Sequence, residues 1–313
     1  MMRLTGRELG MVRFGRRFAG LSGPLAAAAL LLGAAPAYAD TVDVTYSAAG
    51  QTAPDFTSIC ANTSVCDFGT ENFTGWTGAS PFTSTFTDAG AGTYSQPAGV
   101  SFTGIYTAGA GTSTGTGGAW VSVLQNQYGG VSGQNYPELY GGPAIGQANV
   151  STYTLNLSAT GVPGVNYFGI WISALDPYNN LTLYDGSTVV AQFNSANLLA
   201  DLGTCSYGNG NPYCGNPTPQ FAGQDWQELF AYVNVFDLTG FITSVVFSDS
   251  GATGFESSND AVAYVNPIHT TGTSVVAAPE PGSAALLGTG LLGLALLSRR
   301  RFRPVRLSVQ RRP

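Results

Sequence analysis

An all-β fold, an antiparallel β-sandwich of jelly-roll type, is what the sequence predicts for residues 40–268, and three observations carry it. Short runs with period-two alternation recur between clusters of Gly, Asn, Asp and Ser, the pattern of half-buried strands joined by turns. An Asp-Gly pair, Asp185-Gly186, separates two apolar runs within residues 181–193, a strong short-range signal for a β-hairpin. Long amphipathic helical patterns are missing, and a span of about 230 residues is one that sandwiches commonly fill as a single domain.

Taken in order, Val42, Val44 and Tyr46 alternate with Asp43 and Thr45, and Tyr153, Leu155 and Leu157 alternate with Thr154 and Asn156. Both runs read as strands with one buried face. The hairpin at 181–193 follows, and residues 165–175, 230–236, 242–247 and 261–265 supply further strands, so turn-separated strands fill the C-terminal half. The Gly-, Thr-, Ser- and Ala-dominated stretch 89–119 reads as long loops or loosely packed edge strands.

Charge is sharply segregated. The chain holds 12 basic residues, all arginine, and 18 carboxylates. Arg3, Arg7, Arg13, Arg16 and Arg17 precede Asp40, and the other seven arginines follow Pro281. Only Glu8 and Glu280 among the carboxylates lie outside 40–278, so that segment carries 16 acids, no fixed cation and a formal charge of −16 with His269 neutral. The basic residues therefore serve membrane targeting, and the finished body is strongly acidic.

The N-terminus has the three parts of an export signal: a basic region to Arg17, an apolar run at 25–35, and Ala37-Tyr38-Ala39 as an A-x-A cleavage site that would leave Asp40 first. Met11 is an alternative start, and Arg16-Arg17-Phe18 hints at twin-arginine export. The apolar run is roughly half the ~20 residues that a membrane span needs. At the other end, Pro279-Glu280-Pro281 leads into an apolar run at 282–297 and then into Arg299, Arg300, Arg301 and Arg303. As a helix that run would be about 24 Å long at ~1.5 Å per residue, close to the ~30 Å hydrocarbon core. The arginines would then hold the cytoplasmic side.

This order of elements resembles the PEP-CTERM sorting signal of Gram-negative bacteria, which is handled by the membrane protease-transferase exosortase. The resemblance implies that Pro279, Glu280 and Pro281 form the processing motif and that residues 279–303 are a transient inner-membrane anchor. It further implies that signal peptidase and exosortase act in turn and that the body passes to the cell surface or its exopolysaccharide. The chain departs from the family in continuing through a short extension, 304–313. The alternative is a permanent single-span anchor. Tyr167-Phe168-Gly169-Ile170-Trp171, Asp176-Pro177-Tyr178-Asn179-Asn180, Gly254-Phe255-Glu256 and Asn259-Asp260-Ala261-Val262-Ala263-Tyr264 also resemble the body of exosortase-dependent surface proteins. That implies a β-sandwich ectodomain at 40–268 and a linker at 269–278.

The four cysteines fall as two close pairs, Cys60 with Cys66 and Cys205 with Cys214. Three pairings are formally open, and an exported chain with two tight clusters most simply forms two local disulfides. Zinc lacks ligands, because the one histidine is His269 and no C-x2-C spacing is present.

With one His, no Lys and no unpaired Cys, the body has no means to build a Schiff base, a Cys-His pair or an arginine phosphate clamp. No catalytic residue is expected, and a triad would have to enlist His269. Nucleic acid is excluded as a partner, since nothing neutralises phosphate. Calcium is the cofactor the composition invites, with Asp176, Asn179, Glu256 and Asp260 as candidate oxygen ligands; the alternative is Asx turns at strand ends. The sequence thus predicts a non-enzymatic structural or adhesive protein of the cell surface, working with extracellular polysaccharide. One alternative is a carbohydrate-binding module presenting Trp76, Trp120 or Trp226, with Trp171 buried in an apolar run. A second is a glycoside hydrolase with a carboxylate pair.

Overall fold

The computed structural model describes residues 41–73, 81–87, 98–109, 127–129, 138–140, 151–208, 210–250, 254–270 and 273–275. The chain divides into two units, Met1–Tyr38 and Ala39–Pro313, and every described residue belongs to the second. The expected signal peptide with Ala39 and Asp40, the sorting segment with Pro279, Glu280, Pro281, Arg299, Arg300 and Arg301, and Trp76 and Trp120 lie outside the described residues. Among the described residues no helix is long and apolar enough to cross a membrane.

The unit is built from two antiparallel sheets. One runs β13 (Thr273–Val275), β1 (Val42–Tyr46), β10 (Ala231–Asp237), β7 (Tyr167–Ser173), β12 (Gly254–Asn266), β2 (Val65–Glu71), with β5 (Glu138–Tyr140) also on β12. The other runs β3 (Phe82–Phe86), β4 (Ser101–Ala108), β6 (Ser151–Thr160), β11 (Ser244–Asp249), β8 (Asn179–Asp185), β9 (Thr188–Asn194). From β6 to β12 the chain changes sheet at every step except the β8–β9 hairpin. That hairpin turns where expected: Gly186 takes φ +56°, a conformation glycine reaches without steric cost, and Asp185 pairs with Thr188.

Alternation places the core between the sheets. Val44, Phe168, Ile170, Val233, Val235 and Phe255 of the first sheet meet Phe102, Tyr153, Leu155, Leu183, Val245 and Phe247 of the second, all buried in one cluster. Tyr153 stacks on Phe247 at 4.1 Å between centroids, and Phe247 reaches Phe255 across the sandwich at 6.0 Å. Removing one of these rings by a Phe→Ala change costs roughly 3 to 5 kcal/mol in comparable cores.

β7 and β10 are buried at every position, which suits their largely apolar sequences, and the polar Ser173, Asn234 and Asp237 are buried with them. Their outer face is covered by a short helix, α1 (Phe56–Ile59), whose N-cap Asp55 accepts from the Ser58 backbone N–H. Phe56 stacks on Phe68 at 3.8 Å and meets Tyr167 edge-on. Farther along the same face Trp171 packs with Phe230 and Tyr232 and is fully buried, as its sequence context predicts. Gly169 lies beneath the Tyr167 and Tyr232 hydroxyls, and a Cβ there would collide with both. Both local disulfides are present, Cys60–Cys66 and Cys205–Cys214, which suits maturation in an oxidising compartment.

Three departures from the sequence reading have physical causes. The stretch 89–119 contains β4, an interior strand between β3 and β6, where a long loop or edge strand was expected. Its inward positions are Phe102, Gly104 and Tyr106, and the glycine, against which Phe86 and Leu155 close, hides the alternation. Residues Thr273–Val275, assigned to the linker, pair with β1 as β13. An eight-residue helix, α2 (Ser195–Leu202), follows β9, held by a capping box between Asn194 and Asn197.

Candidate functional site

The four residues proposed for calcium do not converge. Asn179 spends its side chain on the backbone: Oδ1 accepts from the Asp176 N–H at 2.9 Å and Nδ2 donates to the Gly254 carbonyl at 2.9 Å. It is therefore a turn residue, pinned further by the Ser195 hydroxyl, which donates to the Asp176 and Asn179 carbonyls. Glu256 and Asp260 project to opposite faces of the first sheet. Glu256 pairs in register with outward-facing Ser173, whereas the Asp260 carboxylate faces inward and accepts from the Tyr106 hydroxyl at 2.8 Å. A bulge sets this inversion, because two residues, Asn259 and Asp260, occupy β12 opposite the single Ile170 of β7, and Asn259 adopts φ +50°. Among the described residues no three His, Cys, Asp or Glu side chains come together to hold a metal ion.

Asp260 heads a polar group inside the sandwich. It is fully buried, it faces Glu71 across the β12–β2 pairing, and its Oδ1 has no hydrogen-bond partner among the described residues. Burial pushes its carboxyl well above the usual range, Glu71 adds to the rise, and the Tyr106 bond only partly offsets it. Glu71 in turn accepts from Ser84 and from the Phe73 N–H, and Tyr153 shares a hydrogen bond with Ser257 at 3.1 Å. Beside this group the two sheets are joined at one edge: Thr70 and Thr87 exchange backbone hydrogen bonds of 2.8 and 3.2 Å. Asp260 itself is wholly buried, with no exposed surface.

The open site lies elsewhere, on the long crossover from α2 to β10. Gly203 ends α2 at φ +85°, and the Cys205–Cys214 disulfide then closes a loop carrying Tyr207. Backbone bonds from Phe230 to Tyr213 at 2.9 Å and from Gly215 to Glu228 at 3.1 Å lay the return segment against β10's entry as a short antiparallel ladder. Asn216, almost wholly buried, locks the connecting loop by accepting from the Thr218 N–H and hydroxyl and donating to the Gln127 carbonyl. A tight turn at 225–228, closed by Glu228 N–H to the Asp225 carbonyl at 2.9 Å, carries Trp226 outward.

Tyr207 and Trp226 meet edge to face, 5.7 Å between centroids and 78° between planes. They are 91% and 42% exposed, in contrast to Trp171, so the pair is not core. Together with Ser206, Gly208, Gly210, Asn211 and the Cys214 side of the disulfide they line a shallow hollow of about 290 Å³. On the turn that carries Trp226, the Glu228 carboxyl is pushed up to about 7, first by burial and then by the nearby Asp176 and Asp225 carboxylates, and burial raises Asp225 as well. Oδ2 of Asp225 and Oε2 of Glu228 are buried and find no hydrogen-bond donor among the described residues. Among the described residues there is no lysine or arginine to neutralise them. The result is a rigid ledge with an aromatic tip and a negative flank.

No family model, no characterised protein and no solved structure matches the chain. The site must therefore be read from its own chemistry. Trp226 was legible as a candidate. Tyr207, Asp225 and Glu228 were not singled out, although Ser-Tyr-Gly-Asn-Gly between two cysteines marks an exposed, disulfide-closed loop.

Proposed function

We propose that the chain is an exported, surface-sorted adhesive protein whose sandwich holds extracellular polysaccharide through Tyr207 and Trp226 without chemically altering it. The observation that carries this is the exposed aromatic pair on a disulfide-braced ledge. A solvent-facing Trp and Tyr held rigid offer apolar ring faces to the C–H face of a pyranose at little entropic cost. The segregated charges and the tail resembling a PEP-CTERM signal support delivery to the place where such polymers lie. Strand order supports the finer reading of the fold: β2-β12-β7-β10 facing β6-β11-β8-β9, with the chain switching sheets as described, is the arrangement of an eight-stranded jelly roll. β1, β13, β3 and β4 then extend its two sheets.

The test is retention. Replacing both Tyr207 and Trp226 by Ala should release the protein from the polysaccharide of producing cells into the medium, while leaving the melting temperature unchanged because neither ring is core. Unaltered retention of the double variant sinks the reading.

One observation favours a second reading, glycoside hydrolysis: a carboxyl raised to about 7 beside two further carboxylates has the form of an acid–base pair. Release of reducing ends from polysaccharide by the wild type, abolished in Glu228→Gln, would establish it. The adhesive reading predicts no release from either protein.

A further inference from the structure

Charge decides which polysaccharide the ledge would hold. We infer that it takes a polymer of partly N-deacetylated amino sugars, the pyranose rings lying on Tyr207 and Trp226 and their ammonium groups against Asp225, Glu228 and Asp176. This rests on the reading that the ledge binds glycan at all.

Three features point to a cationic sugar. Residues 40–278 carry 16 carboxylates and no Lys or Arg, so a polyuronate or a phosphorylated polymer approaches against the field of the whole body, while an ammonium-bearing one is drawn to it. The same tight turn carries both kinds of group: in sequence the exposed Trp226 stands between the half-buried acids Asp225 and Glu228, with no Lys or Arg among the described residues to neutralise them. An ammonium placed there relieves the mutual repulsion of Asp176, Asp225 and Glu228, and over the face of Trp226 or Tyr207 it gains a cation–π attraction as well. A metal ion is the poorer fit, since no three of these acids converge on one point. A folded protein is also a poorer fit: seven of the described residues line the hollow, against the roughly 20 to 30 a side of a standard interface.

The experiment measures the affinity of the full chain, purified in detergent, for three soluble oligosaccharides of equal length. These are an N-acetylglucosamine oligomer, its N-deacetylated counterpart and a uronic acid oligomer. The expected order is deacetylated at least tenfold tighter than acetylated, with the uronate unbound. Raising the salt should narrow the gap, and Asp225→Asn with Glu228→Gln should abolish it. Tyr207→Ala, at a side chain too exposed to unfold the protein, should weaken both amino-sugar ligands. Equal affinity for the acetylated and deacetylated oligomers overturns the inference and leaves the glycan reading standing. Binding of none of the three overturns both. Deacetylated binding indifferent to Tyr207→Ala and to the acid replacements shows diffuse attraction to an acidic body, and overturns the assignment to the ledge.

Discussion

The Asp260 carboxyl has one oxygen on the Tyr106 hydroxyl and the other without a donor among the described residues, so it keeps its proton where an ordinary aspartate has lost it. Asp260→Asn, which preserves shape without the charge, should leave stability within about 1 kcal/mol of wild type at pH 5. Asp260→Ala should cost about 1 to 3 kcal/mol by stranding the Tyr106 hydroxyl. Chemical denaturation of the two variants separates these outcomes. At this scale the sequence was a partial guide. Asp260 stood out as a carboxylate at a strand, yet its facing depends on a one-residue bulge that alternation does not reveal. A slip of one residue moves every following side chain to the other face. Trp171 was legible because an apolar run on both sides marks a strand covered on both faces, so that it is buried even on the outer one. Tyr207 was not, since a lone tyrosine among glycines has the same appearance in any loop.

Among the elements, the two disulfides do different work. Each closes a short loop and should contribute roughly 2 to 3 kcal/mol in the chain-entropy picture. Cys60–Cys66 ties α1 to β2 and so braces the cover over the outer face. Cys205–Cys214 holds the loop that presents Tyr207. Replacing either pair with serine should lower the unfolding free energy by that amount, but only Cys205→Ser with Cys214→Ser should also weaken polysaccharide retention. Equal retention in both variants would separate the disulfide from the ledge. The strands foreseen, β1, β6 to β11 and the 261–265 part of β12, are those with plain alternation, a tight turn or a mostly apolar run. β2 and β4 escaped because their inward positions include Gly69 and Gly104, β3 because polar Ser84 stands between Phe82 and Phe86, and β5 and β13 because three residues are too few to show a period.

The whole molecule is an acidic body whose resolved carboxyl shifts all run upward: Asp67, Asp225, Glu228 and Asp260. In the unfolded chain these groups ionise near their usual values of about 4. Between that pH and their folded values the native state holds more protons than the unfolded one, so stability falls as pH rises. The melting temperature should therefore be higher at pH 5 than at pH 8. Glu228→Gln should flatten the part of the decline that ends near pH 7, and Asp260→Asn should remove a further part of it. A melting temperature that rises from pH 5 to pH 8 would contradict this balance. Repulsion among the 16 acids acts in the same direction and is screened by salt.

At the same scale, the proposal of an exported, sorted and polysaccharide-held protein makes one prediction that a single measurement decides. The protein is recovered from the extracellular polysaccharide of producing cells and its intact mass is determined. The account predicts a chain that begins at Asp40, lacks Arg299 to Arg303, and is lighter by the four hydrogens lost in forming the Cys60–Cys66 and Cys205–Cys214 bonds. A full-length C-terminus on protein found only in the membrane fraction would contradict it.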